Sequence, residues 1–217
     1  MRTKQILAWI GLAMSLAVLG FELWLQVGRR AGNADLLSAS LRYLSFFTNL
    51  SNFALVLVYA TALAPKQRRP AWLTSPLARA TVLAMILLTM LVYYFVLARS
   101  ENPHGWAKAS SIAAHYIAPV LYLAWWTTYA RTGTLGLRDV PPMLIVPAVY
   151  MALVLALGYV TGRYPYAMLN ADRQGEGGVA LHGLGLLMLL VLLCLAIVGL
   201  DRLKTRHARV EMRLPGR

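Results

Sequence analysis

Apolar positions along this chain do not alternate with polar ones at a strand or amphipathic-helix period. They run together in six long stretches, at roughly 6–27, 43–64, 77–98, 107–130, 142–162 and 179–200. A helix needs about 20 apolar residues to cross a hydrocarbon core, so each stretch is long enough to do so. The connectors are short and carry the breakers: Gly and Pro cluster at 28–32, 65–76, 102–105, 133–142 and 162–178. The pattern predicts an all-α integral membrane bundle of six transmembrane helices, one domain over 1–217, with a basic tail at 201–217. The first stretch comes after Arg2 and Lys4 as a signal peptide would. Its apolar run is too long for an h-region and no small-x-small cleavage site is present, so it reads as a retained helix.

Composition agrees with that pattern. The chain is 59% hydrophobic and 13% charged, whereas a soluble domain is about half apolar and a quarter charged. The net charge of +13 does not point to nucleic acid, because the basic residues flank the apolar runs instead of lining one face. They are also unevenly shared. The N-terminus, the second and fourth connectors and the tail hold fourteen Lys and Arg; the first, third and fifth connectors hold seven. This bias predicts that both termini are cytoplasmic. The tail, RLKTRHARVEMR, is expected to rest against anionic headgroups. Cys194 is the single cysteine, which excludes a disulfide within one chain.

The polar residues inside the apolar stretches are concentrated toward one side. With the predicted topology, Ser45, Thr48, Asn49 and Asn52 fall in the outer half of the second stretch. Glu22 and Gln26 close the first stretch, Tyr93 and Tyr94 close the third, and His115 lies about two turns into the fourth. The fifth connector, GRYPYAMLNADRQG, is on the same side and brings Tyr164, Tyr166 and Asn170. The inner halves are mostly Leu, Val, Ala and Met. A polar cavity opening toward the non-cytoplasmic leaflet is the expected result. Read as one helix, the second stretch puts Ser45, Thr48 and Asn52 on a single face by their i, i+3, i+7 spacing.

An intramembrane histidine is a candidate functional group. Beside a hydroxyl it permits nucleophilic catalysis: the imidazole takes the proton, the oxygen attacks an ester carbonyl, and an acyl-enzyme forms. Asn49 or Asn52 could donate to the developing oxyanion. Against this stand structural roles, in which Ser and Thr bond to their own backbone and Asn joins helices. No HExxH, Cys pair or ligand-spaced cluster points to a metal, and no GxSxG, phosphate loop or GxGxxG points to a known soluble enzyme class or a cofactor. A non-catalytic alternative uses the same cavity to bind or transport a small amphiphile.

Three segments carry a resemblance. RYLSFFTNLSN, HYIAPVLYLAWW and Y...GRYPYAMLN, in this order and spacing, resemble the androgen-induced-gene-like family of multi-pass membrane proteins, especially its bacterial branch. The likeness runs over nearly the whole chain. It implies a threonine-type hydrolase of lipid esters, such as fatty acid esters of hydroxy fatty acids, in a bacterial plasma membrane. It places the family histidine on His115, ahead of Pro119. The family threonine comes after a basic–aromatic–Leu triplet, here Arg42–Tyr43–Leu44, which puts Ser45 in that place; Thr48 keeps the residue identity one turn deeper. Both remain candidates. The chain departs from the pattern at Ala124, near which related sequences carry an acid, leaving Glu22 as the carboxylate within these stretches that could orient the histidine.

Overall fold

The computed structural model describes residues 3–28, 40, 42–98 and 102–211. Arg2, Arg29, Arg30 and Arg99, the side chains of the tail from 204 onward and residues 212–217 lie outside the described residues, and with them part of the charge bias and of the tail. The described residues are 88% helical and include no strand. Four helical segments, Thr3–Gln26, Pro76–Leu97, Leu137–Thr161 and Ala171–Leu203, are long and apolar enough to cross a membrane. The protein is therefore an all-helical membrane protein.

In chain order the helices are α1 (Thr3–Gly28), α2 (Phe47–Leu63), α3 (Pro76–Val92), α4 (Gly105–Ile112), α5 (Ala118–Trp125), α6 (Val140–Thr161) and α7 (Ala171–Glu211). Three π-helical turns extend them: Tyr93–Leu97 continues α3, Ala113–Ile117 joins α4 to α5, and Trp126–Ala130 continues α5. Their ends obey local chemistry. Ser75 caps α3 by accepting from the Ala78 N–H at 3.1 Å, with Pro76 beginning the helix, a position where its missing N–H costs nothing. Gly162 ends α6 in the left-handed region, φ 66°, which glycine adopts without a Cβ clash. At the end of α2, Arg69 donates to the carbonyls of Ala62 and Ala64 at 3.1 and 2.9 Å. It both satisfies orphan acceptors and opposes the helix dipole.

Two boundaries differ from the sequence pattern. The second stretch is helical at 42–44 but breaks at Ser45 and Phe46, and the long helix α2 begins at Phe47. Phe46 is extended (φ −84°, ψ 125°), so Ser45 lies in a turn before the helix and does not share a helical face with Thr48 and Asn52. Tyr43–Phe46 is as apolar as the helix it leads into, and hydropathy does not register the break. The last helix begins at Ala171, inside the expected connector. Gly175 (φ 67°, ψ 165°) separates its first turn from the long apolar portion.

The core is aromatic and tightly joined. Tyr59, Tyr122 and Trp125 are fully buried, with ring centroids 5.4–5.7 Å apart. α1 lies close against α2 because Gly11 has no side chain: a Cβ there would meet the Tyr59 ring at 2.2 Å. Large apolar side chains such as Trp9, Leu153, Leu157, Leu184 and Met188 remain exposed on α1, α6 and α7, as suits a surface facing lipid.

Candidate functional site: a threonine–histidine pair between two cavities

The interruption at Phe46 sets the site. It gives α2 a free N-terminus inside the bundle, and Phe46 offers no side-chain cap. Tyr166, from the connector between α6 and α7, supplies one: its hydroxyl accepts from the Phe47 N–H at 3.0 Å and also lies against Thr48 and Tyr150. Tyr150 of α6 donates to the Ser45 carbonyl at 2.7 Å. Two tyrosines thus fix the turn that leads into α2.

Thr48 is in the first turn of α2. Its Oγ1 lies 3.1 Å from Nε2 of His115. The histidine is held in the π-helical turn Ala113–Ile117, just ahead of Pro119. Proline has no N–H for the His115 carbonyl four residues back, and π turns recur at functional sites. Nδ1 of His115 is 2.9 Å from the Ser111 carbonyl oxygen. A carbonyl only accepts, so Nδ1 carries the hydrogen; in the neutral ring Nε2 is then an acceptor, and Thr48 donates to it. The Tyr93 ring, in the π-helical turn that continues α3, stacks on the imidazole with centroids 3.9 Å apart and planes 17° apart. The ring is therefore fixed in tautomer, rotation and plane by a carbonyl, a hydroxyl and an aromatic face.

The other sequence candidates take varied places. The Ser45 hydroxyl donates to the Arg42 carbonyl at 2.7 Å. Asn49 donates to the Tyr43 carbonyl at 2.8 Å and Asn52 to the Thr48 carbonyl at 2.9 Å, so both amides bond to backbone of their own segment. Asn49 also lines a cavity with His115, whereas the Asn52 Oδ1 is buried with no partner. Glu22 accepts from the Ser110 hydroxyl across α1 and α4 and lines the same cavity as His115. Tyr164 packs on Gly158, where a Cβ would meet its ring at 2.2 Å. The Asn170 side chain caps α7, accepting from the Asp172 and Arg173 N–H groups at 2.9 and 3.3 Å. The structure thus brings together Thr48, His115, Glu22, Asn49 and Tyr166, and engages Ser45, Asn52, Tyr164 and Asn170 elsewhere. Tyr93, Ser111 and Tyr150 join the site without having been singled out for it. Only the position of Tyr93 near a span end hinted at one of them.

Two cavities meet at this pair. One, of about 610 Å³, is walled by apolar side chains of α3, α6 and α7, among them Leu88, Leu144, Met151, Leu155 and Leu190. The other, of about 170 Å³, is lined by Glu22, Gln26, Asn49, Ser111 and His115. Thr48, Leu97 and Tyr166 line both. Among the described residues no three His, Cys, Asp or Glu side chains gather around a point where a metal ion could be held.

The site therefore belongs to a helical membrane protein with a hydroxyl–imidazole pair at the junction of an apolar and a polar chamber. Comparison with protein-family models, curated proteins and solved structures finds no match for this chain.

Proposed function

We propose that this protein is an intramembrane hydrolase of lipid esters, with Thr48 as nucleophile and His115 as general base. The observation that carries the reading is the 3.1 Å Thr48–His115 contact, within the reach that proton abstraction requires, at the mouth of an acyl-sized apolar chamber. Thr48 Oγ attacks the ester carbonyl carbon while Nε2 of His115 takes its proton. The imidazolium returns that proton to the alcohol oxygen as its bond to the acyl carbon breaks. A water then attacks the acyl-threonine, again losing a proton to His115, and the fatty acid leaves as the threonine is restored. The Ser111 carbonyl performs the orienting work that an acid would do at the family position taken here by Ala124. Ser45, bonded to its own turn, is a weaker candidate for the nucleophile. Asn49 and Asn52 are weaker oxyanion donors than the sequence suggests, since each already has a backbone acceptor.

The same reading places six crossings in a bacterial plasma membrane, with both termini cytoplasmic. α2 and the continuous run from Gly105 to Ala130 complete the set begun by the four long helices. At a rise of about 1.5 Å per residue, the 17 residues of α2 span roughly 25 Å. The helical residues 42–44 and the turn at Ser45 and Phe46 before it supply the rest. The rival reading, a carrier or receptor for a small amphiphile, would use the cavities without turnover.

Labelling of the purified protein with a fluorophosphonate probe separates the two. The hydrolase labels in wild type and in Ser45→Ala, and not in Thr48→Ala or His115→Ala. A well-folded wild type that takes no label, and releases no fatty acid from lipid esters, overturns the proposal in favour of a binding protein.

A further inference from the structure

The two chambers differ in size and in charge, and this difference bears on what is cleaved. The apolar chamber suits the acyl chain. The other half of an ester attacked at Thr48 then faces the 170 Å³ pocket. At about 30 Å³ per water, that pocket has room for roughly five waters, the bulk of a small polyol and far less than a second fatty chain. Its described lining contributes one carboxylate, Glu22, the amides of Gln26 and Asn49, and no Lys or Arg. Ser110 donates to Oε1 of Glu22, which turns the carboxylate into a fixed acceptor.

We infer that this pocket takes the alcohol half of the ester, and that this half is small, bears O–H or N–H donors and carries no negative charge. The inference rests on the hydrolase reading and narrows it. A donor-bearing head satisfies the Glu22 and Gln26 oxygens. An anionic head would meet a carboxylate with no Lys or Arg among the described lining to offset it, and in a medium of effective dielectric near 20 the repulsion of two unit charges within so small a pocket disfavours binding by about tenfold or more. The substrate class implied by the family resemblance has an alcohol half that is a long chain ending in a carboxylate. This chain is built for a different one.

The test uses the full-length protein in lipid vesicles and three palmitoyl esters, of glycerol, choline and glycolate, which are neutral, cationic and anionic. Fatty acid release gives kcat/KM for each. Wild type is expected to prefer the glycerol and choline esters. Glu22→Gln is expected to raise the glycolate-to-glycerol ratio about tenfold; taking this ratio between variants cancels the different intrinsic reactivity of the esters. Gln26→Glu, which adds a second carboxylate, is expected to lower the ratio by a similar factor and serves if Glu22→Gln does not fold. A ratio that neither variant moves, or an equal fall for all three esters, overturns the inference while leaving the hydrolase reading intact. Wild type inert toward all three and toward the fluorophosphonate overturns both.

Discussion

The two ends of this bundle use polar side chains in opposite ways. At the far end from Thr48, the charged groups around the 131–136 connector bond to the backbone. Asp201, buried at the end of the apolar portion of α7, accepts from the N–H groups of Thr132 and Leu135 at 2.9 and 3.0 Å. Arg131 donates to the Leu200 carbonyl at 3.1 Å and Arg202 to the Leu135 carbonyl at 3.0 Å. These contacts knit the 131–136 connector to α7 and fill the space between them. At the Thr48 end, Thr48 meets His115 and Ser110 meets Glu22 side chain to side chain across helices, while backbone carbonyls hold the amide of Asn52 and, beside open volume, the imidazole and the amide of Asn49. Charge alone does not mark a functional site: the more highly charged end is the structural one.

That contrast can be broken by substitution. The largest effect is expected for His115→Ala, which should reduce ester turnover about a thousandfold, within the span usual for general bases, with little change in thermal midpoint. Fatty acid release against a melting curve checks both halves, and activity that survives means the base lies elsewhere. Asp201→Ala should do the reverse. It strands the buried Leu135 N–H and frees the half-exposed Thr132 N–H, and should cost about 2 kcal/mol of stability, read as a lower unfolding midpoint, while turnover per folded molecule stays near wild type. A loss of specific activity instead would mean that the two ends are coupled. Tyr93→Leu keeps an apolar contact but removes the stacked ring; a fall in kcat of about tenfold, with KM unchanged, would mark a role in orienting His115. The smallest effect is expected for Tyr59→Phe. The Tyr59 hydroxyl is buried with no partner among the described residues, so its removal should be neutral or stabilising by up to about 1 kcal/mol. Marked destabilisation would reveal a partner for it.

Most of the helical layout is legible from the chain because it depends on run length, and run length is a property of sequence. α1, α3 and α6 begin and end within a few residues of the apolar stretches that predict them. The break at Phe46 is not legible. No Gly or Pro marks it, and its cause is distant: Tyr150 and Tyr166 hold the turn from more than a hundred positions away. The same holds for the site. Clustering of polar residues at one end puts Thr48, His115, Glu22 and Tyr166 in one neighbourhood. Choosing Thr48 over Ser45 requires knowing that the helix starts between them. The orienting partner of His115 is a backbone carbonyl, which leaves no signature in the residue type at Ser111.

The π-helical turn at Ala113–Ile117 has a consequence for how this site tolerates change in length. A π turn holds one residue more than an α turn. Deleting a single residue there would let the turn close into regular α geometry, with α4 and α5 keeping their faces because the π turn had absorbed the extra residue. What would move is the widened turn itself: His115 sits inside it, so its ring would shift relative to Thr48 and to the Ser111 carbonyl, although every flanking group stayed in place. The Thr48–His115 arrangement is thus specified by a count of residues as much as by their identity. A one-residue deletion in this turn should silence the protein as completely as loss of the histidine, and a compensating insertion in the same turn should restore it.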